Sequence, residues 1–237
     1  MNTIIHKSNT RGYADHGWLK ARHTFSFANY YDPSRIHFGA LRVLNDDIVD
    51  RGKGFGTHPH DNMEIITIPL EGKLEHKDSM GYGSIITQGE IQHMSAGSGI
   101  THSEFNPSST EHVNLLQIWI FPKIRNIQPV YSQINYDHAE LVDNIILMAG
   151  PEYKEGKIRL NQDAWISLSQ PQSGTKLNYR FNNEKNLLYV FLIEGKVSFA
   201  GTELERRDGI GIMDTNEIEL FNNSDSFILF LEIPEVF

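Results

Sequence analysis

The chain has 237 residues, a formal net charge of -9 and no cysteine. That length is enough to bury a real core. An acidic balance with no basic stripe excludes nucleic acid as a direct partner, and the lack of thiols excludes disulfides and leaves any metal site to His, Asp or Glu. The opening run MNTIIHKSNTRGYADHGW carries no apolar secretory core, and no apolar run approaches the roughly 20 residues that span a bilayer. The chain is therefore read as soluble and cytoplasmic, with no membrane partner.

In chain order, the first informative stretch is GTHPHDNME at residues 56–64, which sets His58 and His60 on either side of Pro59 and Glu64 four residues on. Residues of one parity in a strand face one side, so these three side chains are expected on a common face. Proline is tolerated at a strand start and fixes the backbone between the imidazoles. Short β-like runs follow at residues 63–70 (MEIITIPL), 115–120 (LLQIWI), 188–193 (LYVFLI) and 227–233 (FILFLEI). They are rich in Ile, Val, Phe and Tyr and bounded by Gly, Asn, Asp or Pro, which is the signature of strands. Helical periodicity over more than ten residues is missing, so an all-β sandwich or barrel is expected.

The segment SGITHSE at residues 98–104 complements the first motif, since His102 and Glu104 again stand two apart. Two antiparallel strands that each turn two ligands inward would enclose a metal with three nitrogens and one carboxylate oxygen. Such ligation without thiolate suits Fe(II), Mn, Co, Ni, Cu(II) or Zn. A faint internal repeat also appears. Leu70-Glu71-Gly72-Lys73-Leu74 resembles Ile193-Glu194-Gly195-Lys196-Val197, and Gln88-Gly89-Glu90-Ile91 resembles Asp208-Gly209-Ile210-Gly211. This predicts two similar barrels in tandem, the first at 1–121 and the second at 138–237. The polar stretch 122–137, with Pro122 and Pro129, is expected to link them. Aligning Gly72 with Gly195 sets Phe181 and Asn183 opposite His58 and His60. Aligning Gly89 with Gly209 sets Phe221-Asn222-Asn223 opposite the His102 segment. The second half is accordingly expected to hold no metal.

The remaining features take plainer readings. His76 and His93 are expected to be hydrogen-bonded or at the surface, and His6, His16, His37, His112 and His138 surface or local. Trp119 is read as core. Asp46-Asp47 and Glu203-Leu204-Glu205 are read as solvated turns. Phe55 and Met63 lie near the proposed site, where barrel packing and an apolar wall both account for them.

Taken together, His58-Pro59-His60, residues 70–81 (LEGKLEHKDSMG), residues 94–104 (MSAGSGITHSE) and the upstream His16-Gly17-Trp18 and RHTFSFANYYDP at 22–33 resemble the signature of pirins. Pirins are bicupin proteins of the cupin superfamily. The likeness is strong over the first 120 residues and architectural beyond them, and it is nearest to bacterial pirin-like quercetinases. It implies two jelly-roll-like cupin barrels and one divalent metal, Fe(II) foremost among Fe, Zn, Mn, Co, Ni and Cu. The implied ligands are His58, His60, His102 and Glu104, with Glu104 also the base; Glu64, the usual glutamate of other cupins, is the rival or a supporting partner. The implied activity is cleavage of flavonols such as quercetin by O2 with release of CO, by a monomer. The alternative implied by the same family is an iron-binding, redox-responsive regulator of a protein partner.

Overall fold

The structure, a computed structural model, describes residues 1–154 and 157–235. Strands dominate, and the chain divides into two compact units. The first comprises Gly12–Tyr136 with Leu160–Gln162, and the second comprises Met1–Arg11, Asp137–Arg159 and Asp163–Phe237.

Each unit is a two-sheet jelly roll rather than a closed barrel. In the first, a seven-stranded sheet runs in the order Val130–Asn135, Glu90–Ser95, Glu64–Glu71, Val113–Ile120, Leu41–Val49, Leu19–His23, Gly12–Asp15. It faces a four-stranded sheet in the order Gly54–His60, Ile100–Phe105, Lys73–Asp78, Gly83–Thr87. The second unit repeats this plan. Its larger sheet runs Asn2–His6, Gly209–Met213, Asn186–Glu194, Phe227–Pro234, Trp165–Ser169, Ile146–Gly150, Ile158–Arg159, and its smaller one Lys176–Arg180, Glu217–Asn222, Lys196–Phe199, Thr202–Glu205.

Central strands of the larger sheets are covered on both faces. Glu64–Glu71 and Asn186–Glu194 are buried at every position but the last, which explains why both read as apolar runs rather than as alternations. Each then turns through a glycine with positive φ, 73° at Gly72 and 97° at Gly195. A Cβ would stand 2.6 Å from the His112 carbonyl at Gly72 and 2.5 Å from the Asp225 carbonyl at Gly195. Only glycine supplies both that backbone and that approach, so the repeated Glu-Gly-Lys marks a real structural repeat.

The observed boundaries differ from 1–121, 122–137 and 138–237. The expected linker contributes the strand Val130–Asn135, which pairs with Glu90–Ser95 and closes one edge of the first unit's large sheet. The N-terminal strand Asn2–His6 does the equivalent in the second unit, pairing with Gly209–Met213. An exposed strand edge invites pairing, and each unit covers that edge with a segment from outside its central run of strands. His6 is accordingly buried, not superficial, with its Nδ1 2.8 Å from the Tyr189 hydroxyl. Nor are the two acidic runs turns. Asp46 and Asp47 lie in Leu41–Val49, and Glu203–Glu205 in Thr202–Glu205, where Leu204 is buried between exposed glutamates.

Candidate metal centre

The strands Gly54–His60 and Ile100–Phe105 are antiparallel, with His58 directly opposite His102 and His60 opposite Ile100. The register slips between His102 and Glu104, so that Glu104 faces Phe55. This bulge re-aims the backbone where the Gly56 carbonyl lies 2.8 Å from His58 Nδ1. On its other side Ile100–Phe105 pairs His102 with Asp78 and Glu104 with His76. Strand parity therefore gathers His58, His102, His76 and Glu104 on the inner face of one sheet.

Ligand atoms of His58, His60 and His102 all lie within 4.8 Å of one another. Their ring centroids are 4.4 Å apart for His58 and His102, 4.8 Å for His58 and His60, and 4.9 Å for His60 and His102. Glu104 does not join that trio; it groups with His76 and His102 within the same radius. His102 is thus common to both clusters. It is 1% exposed, and its Nε2 is buried with no hydrogen-bond partner. Burial, then the charges that His58, His60 and His76 could carry, depress His102 to about 2; burial and His58 depress His60 to about 4. Neutral imidazoles with an unused buried nitrogen are what a divalent transition metal requires of its ligands, so this donor set fits one.

Glu104 is buried, and burial pushes its carboxyl above the usual range against the opposing pull of His76 and Gln117. The Gln117 amide is oriented by Thr67, whose hydroxyl donates to Gln117 Oε1 at 2.9 Å. This leaves Nε2 to donate to the Glu104 carboxylate at 3.2 Å.

Glu64 lies elsewhere. The strand carrying the two histidines ends at His60, and Asn62 then adopts a left-handed φ of 47°. Glu64 opens the next strand, in the other sheet. Its carboxylate accepts from His93 Nε2 at 2.8 Å, from the Ser95 hydroxyl and from the Asn161 amide at 3.0 Å. Burial opposes its charge, but those donors outweigh burial and hold it below the usual carboxylate range. Glu64 is neither a member of the histidine cluster nor hydrogen-bonded to one of its rings. It ties Leu160–Gln162 to the first unit.

A cavity of about 250 Å³ opens over His58, His60 and Glu104. Phe27, Phe55 and Trp119 line it. Trp119 packs against the core cluster of Ile65, Met94, Ala96 and Ile100 and also forms a cavity wall, its ring edge-on to His60 at 4.9 Å and to Phe27 at 5.3 Å. Asp47, expected in a solvated turn, is buried and also lines the cavity. Met63 packs against the same cluster of Ile65, Met94, Ala96 and Ile100.

Register in the second unit corrects the expected correspondences. Val197 pairs with Asn222 and Ser198 with Phe221, so Phe199, four residues past its glycine turn as His76 is past Gly72, falls opposite Leu220. Leu220 in turn pairs with Leu177 and Ile218 with Tyr179. The positions of His76, Glu104, His102, His58 and His60 are therefore taken by Phe199, Leu220, Ile218, Tyr179 and Phe181. All five are buried in one apolar cluster. Alignment on the glycines alone misplaces them because the intervals differ: Phe181 to Gly195 is two residues longer than His60 to Gly72, and Gly209 to Ile218 is four residues shorter than Gly89 to His102.

Comparison with known proteins extends over the whole chain. Residues 5–120 match the family model described as Pirin, and residues 147–233 the one described as Quercetinase C-terminal cupin domain. The chain is 43% identical over 236 residues to the quercetin 2,3-dioxygenase of Escherichia coli strain K12, covering 98% of this chain and 99% of that one. It is 36% identical over 222 residues to the pirin-like protein of Caulobacter vibrioides, covering 93% and 95%. Among solved structures, that of bacterial pirin YhhW from Escherichia coli in complex with nickel(II) superposes with a TM-score of 0.94 at 41% identity, covering 99% of this chain and 100% of that one.

Proposed function

This chain belongs to the pirin family, and on that premise we propose that its first unit is a metal-dependent dioxygenase site that opens the heterocycle of flavonols such as quercetin, consuming O2 and releasing CO. The observation that carries the reading is the set of three convergent imidazoles, one with an unused buried nitrogen, beneath an aromatic-walled cavity. Phe27, Phe55 and Trp119 offer flat apolar surfaces to a planar ligand, as concave sites for small aromatics do.

His58, His60 and His102 would hold the metal, with Glu104 as the fourth ligand. Fe(II) is the proposed ion, because imidazole and carboxylate without thiolate suit it. When bound, the ion supplies Lewis acidity that lowers the pKa of a coordinated hydroxyl and fixes the resulting anion. Glu104 accepts the proton of the flavonol 3-hydroxyl on a carboxylate oxygen. Only a carboxylate oxygen left free by the metal would take that proton, so the base role needs one Glu104 oxygen uncoordinated. Gln117 holds that carboxylate in place through the Thr67 hydrogen bond. The walls limit water around the developing flavonolate. Flavonol and O2 are the partners on this reading, and the chain acts as a cytoplasmic monomer.

The test is O2 uptake and CO release with quercetin after anaerobic Fe(II) loading, wild type beside Glu104→Gln. Turnover by wild type and its near loss in Glu104→Gln are expected. A metal-loaded wild type that leaves quercetin intact overturns the reading and favours the regulatory alternative.

A further inference from the structure

Behind the histidine cluster lies a second set of buried polar groups that the proposed reaction does not use. His76 and the Asp78 side chain are fully buried, with His76 Nε2 3.3 Å from Asp78 Oδ2. The other carboxylate oxygen, Oδ1, accepts the backbone N–H of Met80 at 2.9 Å and of Tyr82 at 3.1 Å. On the far side of the His76 ring, Nδ1 lies 3.4 Å from His102 Nδ1. The His76 ring is further fixed by the Tyr131 ring at 5.0 Å.

The directions along this row follow from its carboxylate end. Asp78 Oδ1 already accepts two backbone N–H donors, and a carboxylate that accepts throughout takes the hydrogen bond at Oδ2 from His76 Nε2. With its one ring proton on Nε2, His76 has an acceptor at Nδ1. His102 Nδ1 then carries the proton and donates to it, which leaves His102 Nε2 as a bare lone pair. That is the nitrogen buried without a hydrogen-bond partner.

We propose that Asp78 and His76 are positioning residues that set the tautomer of His102, so that its Nε2 is presented to a divalent metal before the metal arrives. The inference rests on the reading of His102 as a ligand and adds the device that readies it. Partners of this kind orient a ligating imidazole and raise its basicity, and losing them typically weakens metal affinity about 10–100-fold.

The backbone contacts of Asp78 make a decisive pair of variants. In Asp78→Asn the amide oxygen must stay on the Met80 and Tyr82 N–H donors, which turns the NH2 toward His76. The row then reverses: His76 Nε2 accepts, His76 Nδ1 donates, His102 Nδ1 accepts, and the proton moves to His102 Nε2, where a metal would bind. Asp78→Ala removes the director without reversing it. A role confined to bracing the turn makes Asn the milder change in every assay, since it keeps the backbone hydrogen bonds. Tautomer control makes Asn the milder change for thermal stability and the harsher one for metal affinity.

The experiment titrates Ni(II) alone into the full-length metal-free wild type, Asp78→Asn, Asp78→Ala and His102→Ala, with melting temperatures measured alongside. Nitrogen NMR of histidine-labelled, metal-free wild type reports the His102 tautomer directly. The expected result is a protonated His102 Nδ1 and an unprotonated Nε2 in wild type, with about 10–100-fold weaker Ni(II) binding in Asp78→Ala and weaker binding still in Asp78→Asn. A protonated Nε2 in wild type overturns the inference, as does Ni(II) binding in Asp78→Asn equal to or tighter than in Asp78→Ala. If both Asp78 variants fail to fold, the wild-type spectrum decides alone. Unchanged Ni(II) binding in His102→Ala brings down the ligand reading itself, and the inference with it; loss of binding there with both Asp78 variants at wild-type affinity rejects only the inference.

Discussion

The two units have the same sheet orders and the same glycine turn, yet five matching positions on the smaller sheet are polar in one and apolar in the other. Where the first unit places His58, His60, His76, His102 and Glu104, the second places Tyr179, Phe181, Phe199, Ile218 and Leu220. The second set packs into one cluster with Leu188, Val190 and Phe230, so its sheets meet through close-packed hydrocarbon. In the first unit two of the matching positions, His102 and Glu104, are buried polar side chains. The difference shows that the jelly roll does not require the histidines. They occupy positions that the second unit fills with apolar side chains.

The largest expected contrast is in metal affinity. His58→Ala or His102→Ala should abolish binding while far-UV circular dichroism stays that of a folded β protein, because the core and not the metal holds the fold, unlike a small metal-nucleated domain. An unfolded variant would contradict this. Leu220→Ala, at the position matching Glu104, should do the reverse. Deleting a fully buried leucine costs about 2–5 kcal/mol of stability, read by denaturant titration, with metal affinity unchanged.

Removing the metal should lower the melting temperature without unfolding the chain at room temperature. A ligand at 100 times its Kd stabilises by about 2.7 kcal/mol, and the loss should vanish in His102→Ala. Glu64→Gln should be smaller again. It disturbs a buried acceptor of three donors, costing about 1–3 kcal/mol, with metal affinity retained. Equal metal loss in Glu64→Gln and Glu104→Gln would return Glu64 to the site.

The smallest contrast is in pH dependence. In the metal-free protein His102 and His60 are depressed to about 2 and about 4, whereas unfolded histidine titrates near 6.5. Between those values the unfolded chain binds protons that the folded chain refuses. Stability therefore falls as pH drops below about 6.5. Tyr179, Phe181 and Ile218 take up no proton in that range. The double variant His60→Phe, His102→Ile, which copies the second unit, should show a shallower decline in melts between pH 7 and pH 5. An unchanged slope would contradict the assignment.

The two motifs were legible because they obey strand parity. His58, His60, His102 and Glu104 each lie two residues from a partner, and the antiparallel pairing brings the pairs face to face. Glu64 shares that parity but not that strand. The chain leaves the extended region at Asn62, and parity carries no information across such a break. The bulge between His102 and Glu104 was equally invisible, though Gly56 within the first motif is the type of residue that permits one. The burial of Asp47 was not legible because an acidic pair looks alike in a solvated turn and in a strand, and the second face of Trp119, on the cavity, was hidden for the same reason. His76 and Asp78 stand at the same spacing as the ligand pairs, and that repeated spacing was the available signal for their place beside His102. The edge strands Asn2–His6 and Val130–Asn135 come from stretches of polar or mixed composition, so their pairing depends on the sheets they complete rather than on local pattern.

The central claim is that one unit of this repeated fold binds metal and the other does not. Anomalous diffraction from crystals of Ni(II)-loaded full-length protein tests it most directly. The expected result is one strong peak per chain, within bonding distance of His58, His60 and His102 nitrogens. A peak of equal strength among Tyr179, Phe181 and Ile218, or one bonded to Glu64 and His93 with the three histidines bare, would contradict it.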